Sequence, residues 1–225
     1  LPKGNRLKDP YAILRNSLPI DQKELRELQN KLEDTSEDLR GSRWSSISKA
    51  TARSQFLVSN KKNQILDSIP EENKEKAIDL LSKLKEDLDE LRQIANEKNK
   101  VSFLEVRRQS LKNIDDLESL LITNKFPYEI PSQYDNLPRL LGRANVEIKT
   151  SKGNMNAIID GYNAPLTAGA FIDLSLKGFY DGLPINRAEE FFILQTGDPK
   201  GEAIGYIDPD NNELRKVPLE IRTPN

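Results

Sequence analysis

The feature that most constrains the fold of this 225-residue chain is a change of hydrophobic period near residue 126. Before that point, apolar residues recur every three or four positions, which is the period of an amphipathic helix. Glycine is rare there and occurs only at Gly4 and Gly41. Beyond residue 142 the apolar period falls toward two and turn residues become frequent, as in short strands. Two such patterns in one chain predict two domains of different class.

Residues 1–125 predict an antiparallel bundle of helices joined by short connections. We expect a short helix over residues 10–18 with Asp9 as its cap. A second helix should be capped by Asp21 and end at Gly41. Three more helices should begin at Ser42, at Pro70 and before Leu104. The apolar stripes of the four long helices are Leu25, Leu28, Leu32 and Leu39; Trp44, Ile47, Thr51, Ser54, Val58 and Ile65; Leu81, Leu84, Leu88, Leu91 and Ala95; and Leu104, Leu111, Ile114, Leu117 and Leu121.

Residues 126–142 read FPYEIPSQYDNLPRLLG and follow neither period. Three prolines and two tyrosines in this stretch predict an ordered linker. Its aromatic side chains are expected to pack on both domains, because loops rarely contain so many large apolar groups. The alternative is a plain surface loop.

Residues 143–225 predict an α+β domain with mainly antiparallel strands. A hairpin is expected over residues 145–150 and 155–160, followed by a helix over residues 165–177 that Gly178 stops. Two short strands should then hold Arg187 and Gln195, and a last strand should cover residues 216–222. We expect Trp44 of the first domain to be a core residue.

Composition excludes several chemistries. The chain has no Cys and no His, so thiol and imidazole catalysis and most zinc sites are excluded. No loop has calcium-ligand spacing, so neither a metal nor a cofactor is expected. The net charge of −2 gives no strong attraction to nucleic acid or to an anionic membrane, and no apolar run is long enough to cross a bilayer.

Residues 179–201 carry the strongest functional signal, FYDGLPINRAEEFFILQTGDPKG. The two predicted strands place a cation, Arg187, near an aromatic ring and the amide of Gln195. This set can bind a peptide carbonyl and an apolar ring, but it contains no nucleophile paired with a base. From pattern alone, Arg187 could instead pair with Glu189 or Glu190, and both phenylalanines could be structural.

The longer segment GYNAPLTAGAFIDLSLKGFYDGLPINRAEEFFILQTGDPKG resembles the amino-terminal half of the cyclophilin domain, and the match extends over about residues 146–221. The helical first half, the FPYEIP linker and the late VPLEI segment resemble, more narrowly, the two-domain cyclophilins of the thylakoid lumen of plants, algae and cyanobacteria. This resemblance implies a helical bundle joined to a cyclophilin-like β-barrel, of which the sequence covers the first half. An eight-stranded barrel cannot close on these strands.

The resemblance also assigns roles to individual residues. Arg187 matches the catalytic arginine, Phe192 the floor of the proline pocket, and Gln195 the glutamine that binds the substrate backbone. Ile193 matches an apolar pocket residue. The departures from the family pattern are Ile185 and Asn186 for Phe-His, Thr196 for Gly, and the acidic pair Glu189 and Glu190 in the turn.

The implied function is peptidyl-prolyl cis-trans isomerisation of proline-containing lumenal clients, with photosystem II subunits as partners. No nucleic-acid partner is expected, and the protein should be peripheral to the membrane at most. One alternative is a non-catalytic assembly or chaperone factor, and another is a structural extrinsic subunit. A regulatory hypothesis is that the bundle or the linker covers the pocket.

A basic stretch separates acidic neighbours in the first domain. It contains Arg40, Arg43, Lys49, Arg53, Lys61 and Lys62, with no acidic residue between Asp38 and Asp67. Flanking helices could neutralise these cations. If they do not, an acidic protein loop or a lipid headgroup surface is the expected partner.

Overall fold

The computed structural model describes residues 11–122, 126–190, 192–202, 205–209 and 211–221. Contacts between residues divide the chain into two compact units, one over residues 8–125 and one that contains residues 126–225. The predicted cap Asp9, the predicted start of the first helix at Pro10 and the side chain of Phe191 lie outside the described residues.

The first unit is helical. Its helices are α1 (Tyr11–Ser17), α2 (Lys23–Arg40), α3 (Trp44–Asn60), α4 (Lys62–Asp67), α5 (Lys74–Glu97) and α6 (Lys100–Ser119), with a 3₁₀ turn at Glu71–Asn73. The predicted cap Asp21 is wrong, because the side-chain oxygen of Gln22 accepts the Leu25 N–H at 2.7 Å and makes Gln22 the cap of α2. The predicted third helix is interrupted at Lys61, after which α4 begins.

The four long helices form a closed ring of neighbours in which α2 contacts α3 and α6, and α5 contacts the same two helices. Two contacts show that α2 and α6 are antiparallel. Arg26 near the start of α2 donates to Glu118 near the end of α6, whereas Arg107, earlier in α6, donates to the Leu32 carbonyl further along α2. The predicted antiparallel bundle is therefore confirmed.

The predicted apolar stripes converge in the middle of this ring. Leucines of α2, α5 and α6 are fully buried there, together with Ile47 of α3 and Phe103 of α6. Trp44 packs against this core and meets Phe103 edge-to-face at 6.2 Å, as expected of a core residue. One position of the α6 stripe is wrong: Leu104 is exposed and Phe103 is buried, because the buried face of α6 passes one residue earlier.

One end of the bundle contains a buried polar cluster that joins α1 to α2 and α6. Arg15 pairs with Glu33 at 2.9 Å, and Gln29 donates to Asn16 at 3.1 Å. Arg26 reaches the fully buried Glu118 at 3.4 Å. The other carboxylate oxygen of Glu118, Oε2, accepts no hydrogen bond from any residue that the structure describes.

The second unit contains β1 (Arg143–Thr150), β2 (Gly153–Asp160), α7 (Pro165–Leu176), β3 (Arg187–Glu189), β4 (Ile193–Gln195), β5 (Ile207–Asp208) and β6 (Glu213–Leu214). Within the described ranges these strands pair as three antiparallel hairpins, β1 with β2, β3 with β4 and β5 with β6. The described residues thus form a helical bundle followed along the chain by one helix and three antiparallel hairpins, which agrees with the expected first part of a cyclophilin-like barrel. The β1–β2 hairpin and α7 agree with their predicted positions.

The predicted last strand is wrong over residues 216–221, which join no ladder with another described segment. An isolated strand leaves its backbone groups unpaired, so an apolar alternating pattern is not sufficient to form one. Residue 222 of that prediction lies outside the described residues.

Residues 126–142 pack on the second unit. Phe126 stacks on Tyr162 with ring centroids 6.0 Å apart, and the Leu140 N–H donates to the Pro165 carbonyl at 2.9 Å. Gly169 of α7 allows the close approach, since a Cβ there would lie 2.4 Å from the Cα of Arg139. This contact fixes the segment before β1 against the first turns of α7.

Candidate functional site

The hairpin of β3 and β4 brings the predicted site residues together. Arg187 is paired with Gln195, and Glu189 is paired with Ile193. Since side chains alternate between the two sides of a strand, these four side chains lie on the same face of the hairpin. The register therefore places Arg187 and Gln195 side by side, as the sequence pattern predicted, and adds Ile193 to the same face.

Phe192 lies in the turn of this hairpin, whose backbone closes through a hydrogen bond from the Phe192 N–H to the Glu189 carbonyl at 3.1 Å. The guanidinium carbon of Arg187 lies 5.6 Å from the centre of the Phe192 ring. A cation within about 6 Å of an aromatic centroid is attracted to the face of the ring. The predicted cation and the predicted aromatic are thus in contact.

The alternative expectation for Arg187 also holds, since the guanidinium is in an ion pair with its neighbour Glu189. Nε of Arg187 donates to Oε1 of Glu189 at 2.7 Å, and Nη2 lies 2.5 Å from the same oxygen in the ion pair. The two side chains are 44% and 37% exposed, so water screens this pair. Arg187 therefore lies beside the Phe192 ring while a local carboxylate contacts two of its nitrogens.

The residues that depart from the family pattern support the ends of the hairpin. Asn186 donates its backbone N–H to the Gln195 carbonyl at 2.9 Å, and its side chain lies 3.4 Å from Asp198. The hydroxyl of Thr196 donates to the Pro184 carbonyl at 2.9 Å. These contacts extend the pairing beyond the three residues of each strand and hold Arg187 opposite Gln195.

A second polar cluster of this unit was not predicted from the sequence. Arg215 is largely buried and pairs with Asp173 of α7 at 2.5 Å and with Asp208 of β5 at 2.7 Å. Burial alone would raise the pKa of Asp173, but its hydrogen bonds from Arg215 and Lys177 outweigh that effect and leave the pKa below its ordinary value. Arg215 also lies over the Tyr206 ring at 4.8 Å. Partners 42 residues apart leave no local signal in the sequence.

The basic stretch of the first unit is partly neutralised by nearby carboxylates. Arg53 of α3 pairs with Glu27 of α2 at 2.6 Å, and Arg43 pairs with Asp38 at 2.7 Å. Arg40 pairs with Glu37. Three of the six cations therefore have acidic neighbours on or beside α2, which favours the neutralised interpretation. A partner for this stretch remains a prediction.

Among the described residues no group of three or more carboxylates is arranged to hold a metal ion. Within the same ranges, every helix is too short or too polar to span a bilayer.

Both units of the chain match families of known proteins. Residues 145–225 match the cyclophilin-type peptidyl-prolyl cis-trans isomerase family, and residues 9–122 match the PsbQ-like domain of CYP38-like peptidyl-prolyl cis-trans isomerases. The chain therefore belongs to the family of two-domain CYP38-like cyclophilins.

Individual relatives agree with this assignment. The chain is 44% identical over 221 residues to a Synechocystis protein named as a thylakoid lumen peptidyl-prolyl cis-trans isomerase, covering 98% of this chain and 58% of that protein. It is 36% identical over 232 residues to the chloroplastic isomerase CYP38 of Arabidopsis thaliana, and the match covers 98% of this chain and 53% of that protein. It is 31% identical over 235 residues to the chloroplastic isomerase CYP37 of the same plant, and the match covers 92% of this chain and 47% of that protein. The chain thus spans about half the length of these relatives.

Proposed function

We propose that the protein catalyses cis-trans isomerisation of prolyl peptide bonds in proteins of the thylakoid lumen. The observation that carries this proposal is the contact between the Arg187 guanidinium and the Phe192 ring, 5.6 Å apart, on the hairpin that also presents Gln195. The lumenal location is supported by the name of the Synechocystis relative.

The reaction is suited to a site without a nucleophile. Rotation about a prolyl peptide bond has a barrier of about 20 kcal/mol that comes from amide resonance, while the cis and trans forms differ little in free energy. No covalent bond has to be made or broken. The site needs only to bind the twisted amide more tightly than either planar form.

Each residue of the hairpin has a role in that binding. The Phe192 ring offers an apolar surface for the pyrrolidine ring, and Ile193 extends that surface. The Gln195 amide can donate to a backbone carbonyl of the substrate and accept from a backbone N–H. Arg187 is always charged, and an N–H directed at the prolyl nitrogen stabilises its pyramidal form, in which resonance is lost.

Turnover of a short proline peptide by the intact protein tests this proposal. Exchange rates of cis and trans peptide, measured by NMR, should rise in the presence of the protein. Arg187→Ala should lower the catalysed rate by about 10²-fold, as expected when a preorganised donor to the transition state is removed. Lys152→Ala, which removes a cation from the β1–β2 turn, is the matched control and should leave the rate unchanged. An Arg187→Ala variant that speeds cis-trans exchange as much as the unsubstituted protein does would refute the proposal.

The second candidate function is a binding factor for lumenal polypeptides, including subunits of photosystem II, that does not catalyse turnover. The ion pair of Arg187 with Glu189 favours it, because that pair occupies donors that catalysis needs. In that case the intact protein should retain lumenal loops of membrane proteins in a pull-down, and Arg187→Ala should not abolish retention. Loss of retention by this single change would contradict the second function.

A further inference from the structure

Glu189 controls how the Arg187 guanidinium can be used. Nε of Arg187 donates to Oε1 of Glu189 at 2.7 Å, and Nη2 lies 2.5 Å from the same oxygen. The two residues are two positions apart on β3 and share its face with Gln195 and Ile193. The carboxylate therefore lies within the candidate site and not on its outer side.

The ion pair opposes the use of Arg187 in two ways. The negative charge of Glu189 offsets the field that the guanidinium directs at a substrate, and its oxygen competes with substrate for the guanidinium. A neutral substrate must break this ion pair without offering the carboxylate a replacement. A substrate with a cation next to its proline can pair with Glu189 and free the guanidinium.

The surroundings of the pair increase this preference for a cation. Glu190 follows Glu189 directly, and Asp198 lies beside Asn186 at the open end of the hairpin. Glu190 and Asp198 are exposed and Glu189 is half-buried, so all three carboxylates are accessible from solvent. An incoming Lys or Arg side chain therefore approaches a hairpin that carries three accessible carboxylates, one of which is paired with Arg187.

We propose that Glu189 is a specificity-determining residue that makes this hairpin prefer polypeptides with Lys or Arg adjacent to the proline. This inference rests on the proposed function for its effect on turnover, but its effect on binding is independent of catalysis. The ion pair is partly exposed, and pairs of this kind change an equilibrium by about fivefold at most. The expected charge preference is therefore about two- to fivefold at low salt.

Three peptides that differ only in the residue before proline, Lys, Ala or Glu, test the inference with the intact protein. Binding is measured by NMR titration and turnover by cis-trans exchange. In the unsubstituted protein, affinity and kcat/KM should follow Lys above Ala above Glu. In Glu189→Gln, most of the preference for the Lys peptide over the Ala peptide should be lost, and the Ala peptide should be turned over about two- to fivefold faster, since Arg187 is released from its ion pair.

Glu190→Gln is the matched control, because it removes the same charge from the adjacent position without removing the ion pair of Arg187. It should keep most of the preference for the Lys peptide. Equal binding of the three peptides by the unsubstituted protein, or a preference that survives Glu189→Gln, would overturn the inference. A Lys preference in binding without turnover of any peptide would support the inference while refuting the isomerase function.

Discussion

The carboxylate of Glu220 caps helix α7 through Thr167. Its Oε2 accepts the backbone N–H and the hydroxyl of Thr167, both at 2.7 Å, and its Oε1 accepts the Leu166 N–H at 2.9 Å. The first N–H groups of a helix have no partner within the helix, and a negative charge is favourable there. A residue 53 positions downstream thus supplies the cap that no side chain next to α7 provides.

Replacement of Glu220 should loosen the start of α7. Glu220→Ala is expected to cost about 1–2 kcal/mol, the usual range for loss of a helix cap. Hydrogen exchange should show lower protection of the amides of α7, and chemical denaturation should report the lost stability. Glu213→Ala, an exposed carboxylate of β6, is the control and should change neither quantity. Unchanged protection in Glu220→Ala would show that the cap does not contribute.

Gly169→Ala should destabilise the second unit although it places a better helix former inside α7. Helix propensity alone favours alanine by about 1 kcal/mol. The added Cβ, however, would lie 2.4 Å from both the Arg139 Cα and the Pro138 carbonyl oxygen, and backbone atoms cannot move aside cheaply. We expect a net loss of about 1–3 kcal/mol in the free energy of unfolding. Leu176→Ala at the exposed end of α7 is the control, and a stabilised Gly169→Ala variant would contradict the packing.

Glu118 should make the stability of the bundle depend on pH. Burial raises the pKa of Glu118 from 4.5 to about 8. The positive charges of Arg26 and Arg15 lower this pKa, whereas the negative charges of Asp115 and Glu33 raise it. When the pKa of a carboxyl group is higher in the folded state than in the unfolded state, the group stabilises the fold in its protonated form. This contribution is complete below the unfolded-state pKa near 4.5 and is lost as the pH rises through about 8. Glu118→Gln should therefore unfold at a higher denaturant concentration than the unsubstituted protein at pH 8, with a smaller difference at pH 5.

The control for that comparison is Glu105→Gln, an exposed carboxylate on the same helix. It should leave the difference in stability between pH 5 and pH 8 unchanged. At pH 8 the expected difference in unfolding free energy between Glu118→Gln and the unsubstituted protein is on the order of a few kcal/mol. The reason is that an ionised carboxylate in the protein interior costs free energy even near a cation. Parallel stability curves for Glu118→Gln and the unsubstituted protein would contradict this assignment.

Asp173 should make the second unit less stable at low pH, which is opposite to the effect of Glu118 on the bundle. Its pKa lies below the ordinary value because the hydrogen bonds from Arg215 and Lys177 outweigh the effect of burial. A depressed carboxyl pKa gives stability that is present above the unfolded pKa and is lost as pH falls through the folded pKa. Asp173→Asn should therefore destabilise the second unit at pH 7 and make it less sensitive to acid below pH 4, as followed by NMR of that unit. Asp181→Asn, an exposed carboxylate, should show neither effect.

Arg187→Lys separates the charge of the site from its geometry. Lysine retains the cation but cannot donate two nitrogens to one carboxylate in the way that a planar guanidinium does. We expect kcat/KM for a proline peptide to fall by about tenfold or more, though less than in Arg187→Ala, because orientation toward the prolyl nitrogen is lost. Catalysis by the lysine variant at the original rate would show that charge alone is sufficient.

The sequence by itself determined the features that depend on neighbouring residues. Apolar spacing predicted the four long helices and most of their buried positions, since a helix repeats every 3.6 residues regardless of its surroundings. Alternation and turn residues predicted the β1–β2 hairpin. The strand and turn pattern around Arg187 and Gln195 predicted that these two residues lie near each other, because a tight turn fixes the register of a hairpin.

Only the tertiary structure decided features that depend on distant partners. It selected Gln22 over Asp21 as a cap, buried Phe103 in place of Leu104, and left residues 216–221 outside the strand pairs. It brought Arg215 to Asp173 and Glu220 to Thr167. The physical reason is that burial and pairing are properties of the whole fold, and residues dozens of positions apart leave no periodic signal of the contacts they will make.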